Sequence, residues 1–224
     1  MNYQQLPLVN VYPISESAPS AMQIALAEHT GEVLRTPEVA NTPLEFAEIT
    51  ARKFFVNGLQ MCLEYNLRNS SAYKDCKSAM PPLYSVPNLK KYRVEYPHYD
   101  LSGVDFEIRR IGLLPKPGQV VFHGGVWPVN SGVCRAGQKF TLTKPFSTTL
   151  CAGVAGAHAN THNPRQLWVI TVSPMISTPI FLFSNNRNQF LSHELEVLFA
   201  SGAVIECTAE RQRKHYQIIE VSIV

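Results

Sequence analysis

No run of about 18 apolar residues occurs in the chain, so nothing reads as a membrane-spanning helix and no membrane partner is expected. No Cys-x-x-Cys spacing occurs either. The five cysteines, Cys62, Cys76, Cys134, Cys151 and Cys207, are odd in number and scattered, and read as reduced thiols of a reducing compartment. Charge of one sign is also missing. Twenty Lys and Arg against 17 Asp and Glu leave a net +3, too weak and dispersed for a nucleic-acid partner. The densest basic cluster, Arg211-Gln212-Arg213-Lys214, reads as a solvated turn between strands. The start, Met1-Asn2-Tyr3-Gln4-Gln5, lacks the basic and apolar regions of a cleavable signal peptide. Residues 1–20, polar and rich in Ser and Pro, read as a flexible leader.

What is present is an ordinary globular composition, 45% hydrophobic and 17% charged over 224 residues, enough for one well-packed domain over 21–224. The first part, 21–71, reads as helical. Ala21 to His29 is a run of good helix formers. Thr42-Pro43-Leu44-Glu45 carries an N-cap, a first-turn proline and a capping-box glutamate, and predicts one long helix ending near Asn69-Ser70-Ser71. Residues 72–112 read as loop-rich, because Pro81-Pro82, Pro87 and Pro97 interrupt any periodicity. Tyr73, Tyr84, Tyr92, Tyr96 and Tyr99 there either line a binding surface or pin the loop. From 113 onward the chain reads as strands: Gln119–Phe122, Lys139–Leu142, Leu167–Val172, Pro179–Phe183, Glu194–Phe199, Ala203–Cys207 and Tyr216–Val224. Helices first and strands afterwards predict an α+β fold, helices packed on one side of a mostly antiparallel sheet system.

The stretch with most chemistry is Ser192-His193-Glu194-Leu195-Glu196-Val197-Leu198-Phe199. In an extended segment Glu194 and Glu196 share a face, roughly 6–7 Å apart. Paired carboxylates there can divide labour, one stabilising a developing sugar cation and the other taking a proton from an attacking group. The same pair also suits a solvated strand edge. Two other stretches stand beside it. Val120-Val121-Phe122-His123-Gly124-Gly125 delivers a histidine into a Gly-Gly turn, and Pro145-Phe146-Ser147-Thr148-Thr149 ends a strand in hydroxyls.

In order and spacing the three resemble the motifs of the ADP-ribosyltransferase family: a strand with Arg or His then Gly, a Phe-x-Ser-Thr-Ser-like strand, and Glu-x-Glu before Val-Leu. The resemblance covers about residues 113–224 and is most specific in the third motif. It implies an ADP-ribosyltransferase-like fold with a two-sheet β core, NAD as co-substrate and no metal. It further implies mono-ADP-ribosyl transfer to a protein side chain. Glu196 is then the catalytic glutamate, bonding the ribose 2′-hydroxyl and stabilising the oxocarbenium-like C1′ as nicotinamide leaves. Glu194 holds or deprotonates the acceptor, and Ser147 braces Glu196. His123, Gly124, Gly125, Thr148 and Thr149 bind the dinucleotide. His123 stands where Glu-x-Glu members usually carry Arg, and Thr149 where Ser is usual. The segment before Glu194 matches the acceptor-recognition loop, with Phe190 and Arg187 as its contacts. Glu-x-Glu implies an arginine acceptor; a serine or threonine hydroxyl is the alternative, as in the bacterial effectors that modify a threonine of ubiquitin. The leader and reduced cysteines resemble an effector delivered into host cytosol, with a host protein as partner.

Three other readings remain open on the sequence. Cys134 or Cys151 with His158 or His162 suits a cysteine hydrolase. His158 and His162, at i and i+4, suit a metal but lack the Glu of His-Glu-x-x-His, and Gly153, Gly156 and Pro164 argue for a loop. A binding module on a decayed transferase fold is the third.

Overall fold

The computed structural model describes residues 3–34, 36–53, 57–95, 97–129, 132–183 and 194–224. The α+β expectation holds. The larger sheet has eight strands: β3 (Val120–Gly125), β4 (Lys139–Thr141), β5 (Phe146–Thr149), β6 (Gln166–Val172), β7 (Ile180–Leu182), β8 (Glu196–Phe199), β9 (Val204–Gln212) and β10 (Gln217–Ile223). Their order is β4-β9-β10-β6-β3-β5-β8-β7, antiparallel throughout except for β10 against β6. β3 meets β5 through one residue pair, Phe122↔Thr149. This narrow joint divides the ladder into a five-strand and a three-strand block, which is how the expected two-sheet core is realised.

Helices cover both blocks. α2 (Pro43–Lys53) and α7 (Ala152–Ala159) lie on the β10-β6-β3 block. β6 is buried along almost its whole length, as a central, doubly covered strand must be. Gly124 and Gly156 allow α7 this close approach. A Cβ on Gly124 would stand 1.9 Å from the Ala155 carbonyl oxygen, and one on Gly156 would stand 2.7 Å from Thr50 Cγ2. A second, smaller apolar cluster of Val86, Leu89, Val104, Ile108, Phe181, Phe183, Leu198 and Ala200 seats α5 (Pro87–Val94) and α6 (Leu101–Ile111) on the β7–β8 block.

Four sequence expectations need correction. The single long helix is described as two elements, α2 and α3 (Asn57–Asn69), with 54–56 outside the described residues. Its predicted cap is half made: Thr42 Oγ1 accepts from Glu45 N at 3.1 Å, while the Glu45 carboxylate receives the Asn41 N–H rather than that of Thr42.

The loop-rich stretch 72–112 is largely helical, with α4 (Ser71–Ala79) and a 3₁₀ turn (Leu83–Ser85) before α5 and α6. Pro82 and Pro87 sit at helix starts, where the missing N–H costs nothing, and Pro81 and Pro97 lie in the connections between helices. α5 has no side-chain cap of its own. The buried Glu107 carboxylate of α6 accepts from Asn88 N at 3.1 Å and Leu89 N at 2.9 Å instead.

The expected leader is tied down. β1 (Ile14–Ser15) pairs with β2 (Val39–Ala40), Leu6 bonds to Leu114, and Val9 exchanges two hydrogen bonds with the Gln119 side chain. Leu6 and Ile14 are buried in the main core, so α1 (Ala21–Thr30) follows an anchored segment.

The cysteines are not all reduced: Cys134 is disulfide-bonded to Cys207, leaving Cys62, Cys76 and Cys151 free. The basic cluster does fall at the β9–β10 turn, where Arg211 pairs with Glu220 and Arg213 with Glu48, each at 2.7 Å.

Candidate active site

A cavity of about 470 Å³ opens where β3, β5 and β8 meet α5 and α7, within the usual range for small-molecule sites. Its walls bring together His123, Gly124, Ser147, Thr148, Thr149, Glu194 and Glu196. Gly125 lies beside the His123 ring, where a Cβ would stand 2.4 Å from His123 Nε2. Phe190 and Arg187 lie outside the described residues.

Glu196 is the first residue of β8 and is buried. Its pairing with Thr149 in the β5–β8 ladder carries it to the end of the hydroxyl strand. Oε1 accepts from Ser147 Oγ and from Tyr92 Oη, both at 2.7 Å, and Oε2 accepts from Arg93 Nη1 at 2.7 Å. A buried carboxylate survives only with such partners, and charge-assisted bonds of this kind fix its orientation as well as its charge. Burial pushes the Tyr92 phenol well above its ordinary pKa, and the adjacent Glu196 carboxylate pushes it further, so Tyr92 donates its proton without losing it. Arg93 is itself buried, with its guanidinium carbon 5.0 Å from the Phe183 ring centre.

Glu194 is not part of an extended run with Glu196. β8 starts only at Glu196, and Leu195 between them has φ 49°, the left-handed region that a branched side chain rarely adopts. The turn is held by neighbours: Thr149 Oγ1 donates to the Glu194 carbonyl at 2.5 Å, and Leu150 N donates to the Leu195 carbonyl at 3.1 Å. Such a backbone persists only where its surroundings over-determine it. Both carboxylates nevertheless reach one cation, Glu194 Oε2 lying 3.5 Å from Arg93 Nη1. The other Glu194 oxygen lies 3.9 Å from Nε2 of His158, an exposed side chain in the last turn of α7.

His123 Nδ1 is 2.8 Å from the Ser147 carbonyl oxygen. A carbonyl only accepts, so Nδ1 carries the proton. Burial lowers the ring's pKa to about 4, leaving Nε2 as a bare acceptor. In this tautomer His123 presents an acceptor, not a donor, at Nε2. The hydroxyls of Thr148 and Thr149, expected to face the dinucleotide, donate to the backbone carbonyls of Val197 and Glu194 and brace β8.

Two residues of the site, Tyr92 and Arg93, escape sequence reasoning. The signal was the tyrosine-rich stretch itself, but nothing local links it to a glutamate more than 100 positions away.

The competing sites fare poorly. Cys134 is in the disulfide, and Cys151 is fully buried with its thiol pushed up to about 12. His158 lies in a helix and His162 in the turn beyond it. No group of three or more His, Cys, Asp or Glu among the described residues could hold a metal. No described helix is long and apolar enough to cross a membrane.

This two-block sheet with its cleft is the ADP-ribosyltransferase fold, as the three motifs led one to expect. Among solved structures, the chain is similar to the ADP-ribosyltransferase Vis from Vibrio splendidus in complex with an inhibitor, at TM-score 0.50 and 16% identity, over 82% of this chain and 90% of that one. It is also similar to Plx2a, an ADP-ribosyltransferase toxin from Paenibacillus larvae, at TM-score 0.46 and 12% identity, over 77% of this chain and 99% of that one. No family model matches the chain, and neither does any curated protein.

Proposed function

We propose that the protein is an NAD-consuming mono-ADP-ribosyltransferase that attaches ADP-ribose to a protein side chain and releases nicotinamide. The observation that carries this reading is Glu196, held at the floor of the cleft by Ser147, Tyr92 and Arg93. Ser147 and Tyr92 occupy Oε1, whereas Oε2 has one donor among the described residues, so a lone pair of Oε2 serves the ribose 2′-hydroxyl in this reading. A fixed carboxylate beside C1′ is worth more as positive charge develops there than in the ground state.

The cleft fits the group. His123 Nε2 offers an acceptor, the β3 end beyond Phe122 is unpaired toward β5, and Gly124 keeps side chains clear of that edge. Glu194 faces the acceptor side. Gly125, and Arg187 and Phe190 within residues 184–193, belong to dinucleotide and acceptor contacts in the same reading, which takes 21–224 together with the anchored segment before it as the transferase unit. The partner is a host protein, ubiquitin among the candidates, met in host cytosol after delivery as an effector.

Incubating the protein with labelled NAD and a eukaryotic lysate, then identifying the labelled band by mass spectrometry, tests the reading. A labelled protein with wild type and none with Glu196→Gln supports it. Equal labelling by both, or none by either, contradicts it.

A further inference from the structure

We propose that the outward face of α5 and α6, built from Lys90, Lys91, Val94, Phe106 and Arg110, is the docking surface for the acceptor protein, which meets it with an acidic surface around an apolar spot. The proposal rests on the transferase reading and adds to it where the protein substrate sits and what charge it carries.

Both helices are seated on the β7–β8 block through one apolar cluster, with Leu89 and Arg93 of α5 and Val104, Glu107 and Ile108 of α6 buried. A helix that buries one stripe presents the opposite one, so the faces that α5 and α6 turn from the sheet lie on one side of the molecule. Two large apolar side chains stand out on it, Val94 at 63% and Phe106 at 64% exposed. Lys90, Lys91 and Arg110 are exposed as well, and no salt bridge among the described residues involves any of the three.

The carboxylates of the same helices do little to cancel that charge. Asp105 is paired with Arg109 at 2.7 Å, Asp100 caps α6 by accepting from Ser102 N at 3.0 Å, and Glu107 is buried. Glu95, at the end of α5, is left as an exposed carboxylate against three cations. The face is therefore basic around an apolar centre.

Its position says what covers it. Val94 is in the last turn of α5 and lines the cleft, one residue from Arg93, which faces both Glu194 and Glu196. A side chain carried on a folded protein and directed at Glu194 brings its surroundings against this rim. Apolar anchors ringed by charge are the pattern of a protein interface, the anchors giving affinity and the charges steering and selecting the partner. An anionic membrane asks for a cluster of roughly four to eight basic residues, and nucleic acid for a series of phosphate contacts. Three cations around two apolar side chains match neither.

The whole chain is assayed as wild type, as the double variant Lys90→Glu/Lys91→Glu and as Phe106→Ala. Two rates are read at saturating NAD: nicotinamide release with water as the acceptor, and labelling of proteins in a eukaryotic lysate from labelled NAD. Each variant should label lysate proteins about tenfold more slowly, while nicotinamide release to water stays within about twofold of wild type. Raised salt should slow labelling by wild type more than labelling by the double variant. Unchanged labelling by either variant, or equal salt dependence in wild type and double variant, overturns the proposal. So does a parallel loss of nicotinamide release to water, which would assign these residues to the fold rather than to docking. Nicotinamide release by wild type without any labelled protein also overturns it and leaves NAD cleavage standing. Absence of nicotinamide release by wild type is a different result and overturns the transferase reading itself.

Discussion

Nη1 of Arg93 lies 2.7 Å from Oε2 of Glu196, and the two residues are 103 positions apart in the chain. This contact joins a short helix to the first residue of a strand, and it places one buried cation against the carboxylate to which the proposed function assigns the reaction. Removing it by Arg93→Met leaves Glu196 and Glu194 without their shared cation. A loss of about 3–5 kcal/mol in stability is expected, read by denaturant unfolding. Arg93→Lys keeps the charge without the planar fork, and should lose less stability while still lowering kcat.

Tyr92→Phe removes one of the two donors on Glu196 Oε1 and keeps the ring stacked on Phe183 and against Tyr99. The net value of such a bond is about 1 kcal/mol, so the thermal midpoint should fall by about 2–4 °C, and nicotinamide release should slow roughly fivefold if the same bond holds in the transition state. A hundredfold loss would show that the phenol does more than orient the carboxylate.

Glu107 acts at a distance. It caps α5 and touches nothing in the cleft, so Glu107→Ala should cost about 1–3 kcal/mol by freeing two helix N–H groups. Activity should fall with it, because α5 carries Tyr92 and Arg93. Hydrogen exchange at Asn88 and Leu89 should quicken in the variant.

The neutral, half-buried His123 ties stability to pH. Its folded pKa of about 4 lies below the unfolded value near 6.5, so on acidification the unfolded chain takes up the proton first. The contribution is present above pH 6.5 and is lost as pH falls toward 4, by up to about 3 kcal/mol. Urea midpoints across this window should fall more for wild type than for His123→Gln.

The cysteine assignment is tested by alkylation. Denatured without reductant, the chain should take up iodoacetamide at Cys62, Cys76 and Cys151 only, and at all five cysteines after reduction.

The sequence made the β half legible because its signals are local. β-branched and aromatic enrichment places β3, β6, β9 and β10 within a few residues at most ends, and the His-Gly-Gly stretch, the Ser-Thr-Thr stretch and Glu196 fall on neighbouring strands. The helices over the cleft were not legible, for a physical reason. α5 begins at Pro87 and is capped by Glu107, 18 or more positions away, so no window of local pattern contains its cap. α7 hid behind Gly153 and Gly156, poor helix formers in isolation, although Gly156 is needed where Thr50 packs. The Cys134–Cys207 pair spans 73 positions without any spacing motif. The leader hid in the same way, since a polar, proline-containing segment gives no sign that Leu6 and Ile14 are buried.

The most direct measurement is the rate at which nicotinamide is released from NAD by wild type and by Glu196→Gln, a change that keeps the shape of the side chain but removes its charge. A fall of about a hundredfold or more, with the variant folded to the same thermal midpoint within a few degrees, is the result expected of a carboxylate that stabilises charge at C1′. Equal rates would place the chemistry elsewhere and contradict the account.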